Sequence, residues 1–208
     1  MFEDDVATNL RAVCDLAHKY GALVILDEVK TGFRTALGGV QQLSGVAADL
    51  TVVSKALGNG FPIAAVVCSE ETARLAAVAK VKGTYNSELI SIAAATATLR
   101  VLSQERAPAR LHQTGSRLIE RFNETVELRG LQDSVRAIPY RWPCMPHIAF
   151  RGADRRQHSE EFSSELLREG IVWLPNHMNY VSLAHTEEHI ERFIEAADKV
   201  LPAIARGG

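Results

Sequence analysis

The sequence predicts an α/β chain in two parts: a mainly parallel-sheet domain over residues 1–129 and a small α+β domain over residues 130–208. Two observations carry the first part. Short continuous runs of branched apolar residues, ALVILD (22–27), DLTVVS (49–54) and PIAAVVCS (62–69), read as strands. Helical patterns lie before and after them, the alternation expected of a layered α/β fold. The third observation is a change of composition near residue 130, where SVRAIPYRWPCMPHIAF holds three of the seven prolines and suggests short strands rather than helix.

The elements follow in order. Residues 6–20, VATNLRAVCDLAHKY, place Leu10, Val13, Leu16 and Ala17 at helical spacing, and Gly21 supplies a stop. ALVILD then has the pattern of a strand covered on both faces in a parallel sheet. DLTVVS and PIAAVVCS repeat it on either side of the glycine-rich KALGNG, giving three strands of one sheet. SEETARLAAVA is a capped helix, KVKGTYN a loop, and SELISIAAATATLRVLSQ a long helix of small residues, followed by a second long helix around 108–129. Beyond the proline-rich strands, SEEFSSELLREG is a helix ending at Gly170. IVWL and NYVSL are short strands, and TEEHIERFIEAADKVLPAI is an amphipathic helix with Thr186 as its N-cap. That order, βαββα, describes a small α+β domain.

At 208 residues with 47% hydrophobic content, the chain can bury a globular core. Lys and Arg number 23 against 25 Asp and Glu, so the formal charge of −2 provides no broad attraction to nucleic acid or anionic lipid. Small molecules are the expected ligands. Cys14, Cys68 and Cys144 are widely spaced without a C-x-x-C, which suits a reducing compartment. No apolar run approaches the roughly 18 residues of a membrane span, and the acidic opening Met1–Asp5 is unlike a signal peptide. The expectation is a cytoplasmic protein without a membrane anchor.

Two residues suggest chemistry. Lys55 follows an apolar strand and precedes Gly58-Asn59-Gly60, where the backbone can bend around a ligand. Taken locally it is an ordinary solvated lysine; functionally it is an amine able to form an imine with an aldehyde cofactor. Asp27 ends its strand 28 residues earlier. Strand termination explains it equally well, but pyridoxal phosphate (PLP) needs a carboxylate opposite its pyridine nitrogen, and an Asp at a strand's carboxyl end meets that need.

ILDEVKTGFR, LGG, DLTVVSKALGNGFPIAAV and GTYNSE, in this order, resemble the class III aminotransferases of the PLP-dependent fold-type I superfamily. DEVKTGFRTALGG is most similar to the glutamate-1-semialdehyde 2,1-aminomutase branch, and the likeness runs through NYVSLAHTEEHIERFIEAADKVL. The resemblance implies the aspartate aminotransferase-like fold, in partial form. It implies that Asp27 pairs with the pyridine nitrogen, Val29 packs on the ring, Lys55 is the Schiff-base lysine and proton shuttle, and Thr84 binds the phosphate of the neighbouring subunit. It further implies a homodimer with shared sites, and amino-group transfer between an amino donor and a carbonyl acceptor, or within one molecule in an aminomutase.

The family's N-terminal half, with its phosphate loop and the aromatic residue that stacks on the cofactor, has no counterpart here. The expectation is therefore either a separate chain that completes the fold or a truncated product. Asn59, where relatives often have Gly, and TYNSE, which differs from the aminomutase pattern, are further departures. The alternative from another class is a noncatalytic remnant or partner subunit. Other motifs read as structural. HTEEH (185–189) matches H-x-x-E-H, but Thr186 as N-cap leaves His185 outside the helix. His147 and His177 read as loop histidines, with lining of the substrate cleft the minority reading. Arg34 reads as a structural ion pair or a substrate-carboxylate partner, and Trp142 and Trp173 as packing residues. GNG is not a dinucleotide fingerprint.

Overall fold

A computed structural model describes residues 3–78 and 83–204. The chain forms two compact units, the first ending at Pro108 and the second beginning at Ala109. In the first unit, α1 (Glu3–Lys19) leads through the left-handed Gly21 into β1 (Ile25–Asp27). Then come α2 (Gly39–Ser44), β2 (Leu50–Val53), a 3-10 turn (Lys55–Leu57), β3 (Ala65–Cys68), α3 (Glu70–Val78) and α4 (Leu89–Gln104). Ala79 and residues 80–82, the expected end of α3 and start of the following loop, lie outside the described residues.

All three expected strands share one sheet in the order β1-β2-β3. β1 and β2 are parallel, in the register Ile25↔Leu50, Leu26↔Thr51, Asp27↔Val52. β3 runs antiparallel to β2 (Val53↔Ala65, Leu50↔Cys68), because residues 54–64 form a tight return rather than the crossover a parallel pair requires. Ser69 caps α3 as the sequence suggests, its hydroxyl accepting the Thr72 N–H at 3.1 Å. At α4, Glu88 accepts the N–H groups of Ile90 and Ser91, each at 2.7 Å. Hydrogen bonds from the Ser91 side chain and from these amides hold the Glu88 carboxyl below the usual range.

Ser91 and Ala95 are the buried residues of α4. Ala95 packs on Val53 and Leu57, with Phe33, Ile63 and Ala65 around them, so a small core lies directly beneath the Lys55 turn. Successive residues of a strand face opposite sides. Val66 and Val67 of β3 are both more than half exposed, as are Ile25 of β1 and Leu89 and Ile90 of α4. Within the described residues, the two-faced burial expected of ALVILD is therefore not realised.

The second unit holds most of α5 (Ala107–Leu128), then β4 (Val135–Tyr140), β5 (Trp142–Phe150), α6 (Arg155–Arg168) and α7 (Glu187–Ile204). The sequence reading puts the boundary after the second long helix, at 129/130. The compact units divide at that helix's start, because Leu111, Leu118, Phe122 and Val126 of α5 are buried in the core of the second unit. Phe122 is fully buried, edge-on to Phe162 and stacked with Phe193, which in turn stacks on Trp173 at 5.1 Å. Trp142 packs, partly buried, against the same core.

The short strands expected of SVRAIPYRWPCMPHIAF are β4 and β5, which pair antiparallel. IVWL and NYVSL are not strands. Asn179 and Val181 donate to the Pro146 and Cys144 carbonyls of β5, but the Asn179 side chain folds back to accept the Leu174 N–H at 2.9 Å, turning the segment into a loop. The unit is thus αββαα. Arg129, just beyond α5, makes a fork to Asp198 of α7 (Nε–Oδ1 2.7 Å, Nη2–Oδ2 2.6 Å), and that guanidinium holds the Asp198 carboxyl below its ordinary range.

Gly115 sets the distance between α5 and β5. A Cβ there would lie 1.9 Å from the Pro143 carbonyl oxygen, a backbone atom that cannot swing aside. Gly115→Ala is expected to destabilise the second unit by about 3 kcal/mol, read as a lowered urea midpoint of the Trp173 fluorescence transition.

Candidate active site

The parallel register places the carboxyl ends of β1 and β2 side by side. Asp27, the last residue of β1, pairs with Val52, and the Glu28 N–H donates to the Val52 carbonyl at 2.9 Å. Lys55 follows three residues after Val52, so Asp27 and Lys55 emerge at one edge of the sheet, where ligands bind in open α/β folds. Both side chains are exposed there. Asp27 Oδ1 accepts the Val29 N–H at 2.9 Å, which orients the carboxylate from its own backbone. Val29 is half-buried beside it.

Glu28 points the other way and is 1% exposed. Its Oε1 accepts the N–H groups of Val40 (2.6 Å) and Gln41 (3.2 Å) at the start of α2, and its Oε2 accepts the Thr31 hydroxyl at 2.7 Å. Gly39, at φ +65°, leaves the space: a Cβ there would lie 2.4 Å from both Glu28 carboxyl oxygens. The adjacent carboxylates thus have separate jobs, Asp27 facing out from the strand end and Glu28 pinning the loop 29–41 beneath it. Sequence reasoning missed the role of Glu28; its signal was the Gly38-Gly39 pair, noted only as part of a motif. Arg34 sits half-buried in this loop.

Lys55 has φ +40°, the left-handed region, which costs a non-glycine residue about 1 kcal/mol or more. The turn is closed by Leu57 N–H to Ser54 O (2.9 Å), Asn59 N–H to Lys55 O (3.0 Å) and Phe61 N–H to Gly58 O (3.1 Å). Gly58 admits no side chain, since a Cβ would lie 2.3 Å from the Phe61 carbonyl oxygen. Asn59, at φ +47°, explains its own departure from glycine: Asn is among the few other residues that adopt this conformation readily. Thr84 is exposed in the turn that precedes α4.

A model of the class III aminotransferases matches residues 4–201. The chain belongs to this family. Proteins similar to it include glutamate-1-semialdehyde 2,1-aminomutase 2 of Brevibacillus brevis, 34% identical over 200 residues, covering 90% of this chain and 46% of that protein. Another is the 3-aminobutyryl-CoA aminotransferase of Cloacimonas acidaminovorans, 31% identical over 201 residues, covering 95% and 48%. Among solved structures, the PLP internal aldimine form of the FumI protein of Sphingopyxis sp. superposes with a TM-score of 0.85 at 26% identity, covering 95% of this chain and 47% of that one. An omega-transaminase from Sphaerobacter thermophilus gives 0.82 at 25% identity. The fold is thus that of the PLP-dependent transaminases in part, and the chain spans about half the length of the relatives it matches.

The remaining candidates make structural contacts, and His147 stands in β5 rather than in the loop the sequence suggests. His147 Nδ1 lies 3.0 Å from the His177 carbonyl oxygen, and His177 Nδ1 lies 2.6 Å from that of Met178. A cleft of about 360 Å³ in the second unit is lined by Thr114, Trp173, His185, His189 and Phe193 among others. His185 precedes α7, and its Nδ1 accepts the Ser182 N–H; His189 Nδ1 accepts the Thr186 N–H at 3.1 Å, the reach-back half of a capping box with histidine in the usual place of Glu. The H-x-x-E-H match is therefore broken by the start of the helix. No helix among the described residues is long and apolar enough to cross a membrane.

Proposed function

We propose that this chain takes part in PLP-dependent amino-group transfer between a small-molecule amino donor and a carbonyl acceptor, with its site on the β1–β2 edge. The observation that carries this reading is the parallel register that brings Asp27 and Lys55 to adjacent carboxyl ends in a chain of this family. The residues present fit the cofactor: an outward carboxylate oriented by its own backbone, and an exposed amine on a strained turn. Asp27 would hold the proton on the pyridine nitrogen, Val29 would pack on the ring, and Thr84 would bind the phosphate of the neighbouring subunit in a homodimer. When bound, PLP supplies an aldehyde carbon and an electron-withdrawing ring. Lys55 Nζ would hold the cofactor at that carbon with loss of water; once the substrate amine displaces it, the freed Nζ would take a proton from the substrate carbon as general base and return it as general acid. The free thiols Cys14, Cys68 and Cys144 accord with a cytoplasmic setting.

A second reading, a noncatalytic partner subunit, is favoured by one observation: Ile25, Val66, Val67, Leu89 and Ile90 are exposed on the first unit, with Val66 and Val67 on opposite faces of β3, apolar side chains suited to covering by another polypeptide. One experiment separates the two. With PLP and a panel of primary amine donors, the visible cofactor band is expected to convert to the absorbance of the aminated cofactor. PLP uptake without conversion by any donor would favour the partner subunit.

A further inference from the structure

We propose that Ser54 is the positioning residue for Lys55: its hydroxyl clasps the far side of the turn and holds the lysine backbone in the left-handed state from which the amine projects. This rests on the PLP reading for its purpose, but its geometry stands independently. The Ser54 hydroxyl donates to the Ile63 carbonyl oxygen at 2.8 Å, just past the last ladder pair of β2 and β3, Val53↔Ala65. The sheet holds the two chain segments together up to that pair, and the Ser54 side chain carries the closure further, to the residue next to Lys55.

Three backbone hydrogen bonds lie inside the clasp, and Lys55 is its first residue. Ile63 also packs against the Val53–Leu57–Ala95 core, so the clasp ties the turn to this small hydrophobic core of the first unit. A left-handed lysine persists only where its surroundings over-determine it. Here the carbonyl of the preceding Ser54 accepts the Leu57 N–H, and the Ser54 hydroxyl is the side-chain bond across the turn. Losing it leaves a half-buried carbonyl without its donor and lets Lys55 relax toward ordinary φ values.

The test compares wild type, Ser54→Ala and Ser54→Thr by two readouts. In the absence of cofactor, Ser54→Ala is expected to speed hydrogen exchange of the Leu57, Asn59 and Phe61 amides by about five- to tenfold, leaving those of β4 and β5 unchanged, while Ser54→Thr restores protection. With PLP and borohydride, Ser54→Ala is expected to slow fixation on Lys55 severalfold and to shift the pH midpoint of the visible band, and Ser54→Thr to recover both. Unchanged amide exchange in Ser54→Ala, or altered exchange that threonine does not rescue, overturns the clasp. Normal fixation rate and pH midpoint in Ser54→Ala overturn its positioning role even if exchange changes. If wild type fixes no cofactor on Lys55, the functional reading fails and the positioning role falls with it, while the exchange result still decides the clasp separately.

Discussion

Glu28→Ala is expected to lower the stability of the first unit by about 3 kcal/mol or more, because it strands two backbone N–H groups and a hydroxyl that now share one buried carboxyl group. It also opens a hole beside Gly39, whose lack of a Cβ makes sense only with the Glu28 oxygens in place. Tryptophan fluorescence would miss the effect, since Trp142 and Trp173 both lie in the second unit. Amide exchange at Val40 and Gln41 reads it directly, and these amides are expected to lose most of their protection. Glu28→Gln, which keeps the shape and one acceptor oxygen, is expected to fall between. Equal protection in wild type and Glu28→Ala would show that the loop is held by something else.

Lys55→Ala is expected to remove the visible band of the PLP adduct and to slow amine-dependent conversion of PLP by roughly 10²–10⁴-fold, since the same amine attaches the cofactor and moves the proton. Its fold is expected to survive: alanine removes an exposed side chain and no core contact. Stopped-flow absorbance with an excess of donor measures the rate. A variant as fast as wild type would assign the proton transfer to another group.

Much of this was legible in the sequence, because local patterns encode it. β1 and β2 are continuous apolar runs, and their parallel pairing is what places Asp27 near Lys55. α5 and α7 carry strong 3.6-residue periodicity, and Thr186 does start α7. What escaped depends on contacts distant in sequence or on side-chain geometry. IVWL and NYVSL have strand-like composition, but the Asn179 side chain turns their segment into a loop. The buried faces of α5 match its own periodicity, yet only packing shows that they belong with the second unit. Glu28 reads as strand punctuation until Val40 and Gln41, 12 and 13 residues on, are seen to donate to it. Ser54 gives no signal in sequence, because its partner is a backbone carbonyl nine residues away.

The central claim, that the β1–β2 edge is a PLP site built on Lys55, is tested most directly by mixing the chain with PLP, reducing with borohydride and mapping the fixed cofactor by peptide mass spectrometry. The account predicts one dominant modified residue, Lys55, at a PLP concentration that leaves Lys19, Lys30 and Lys199 largely unlabelled. Labelling spread evenly over these lysines would contradict it.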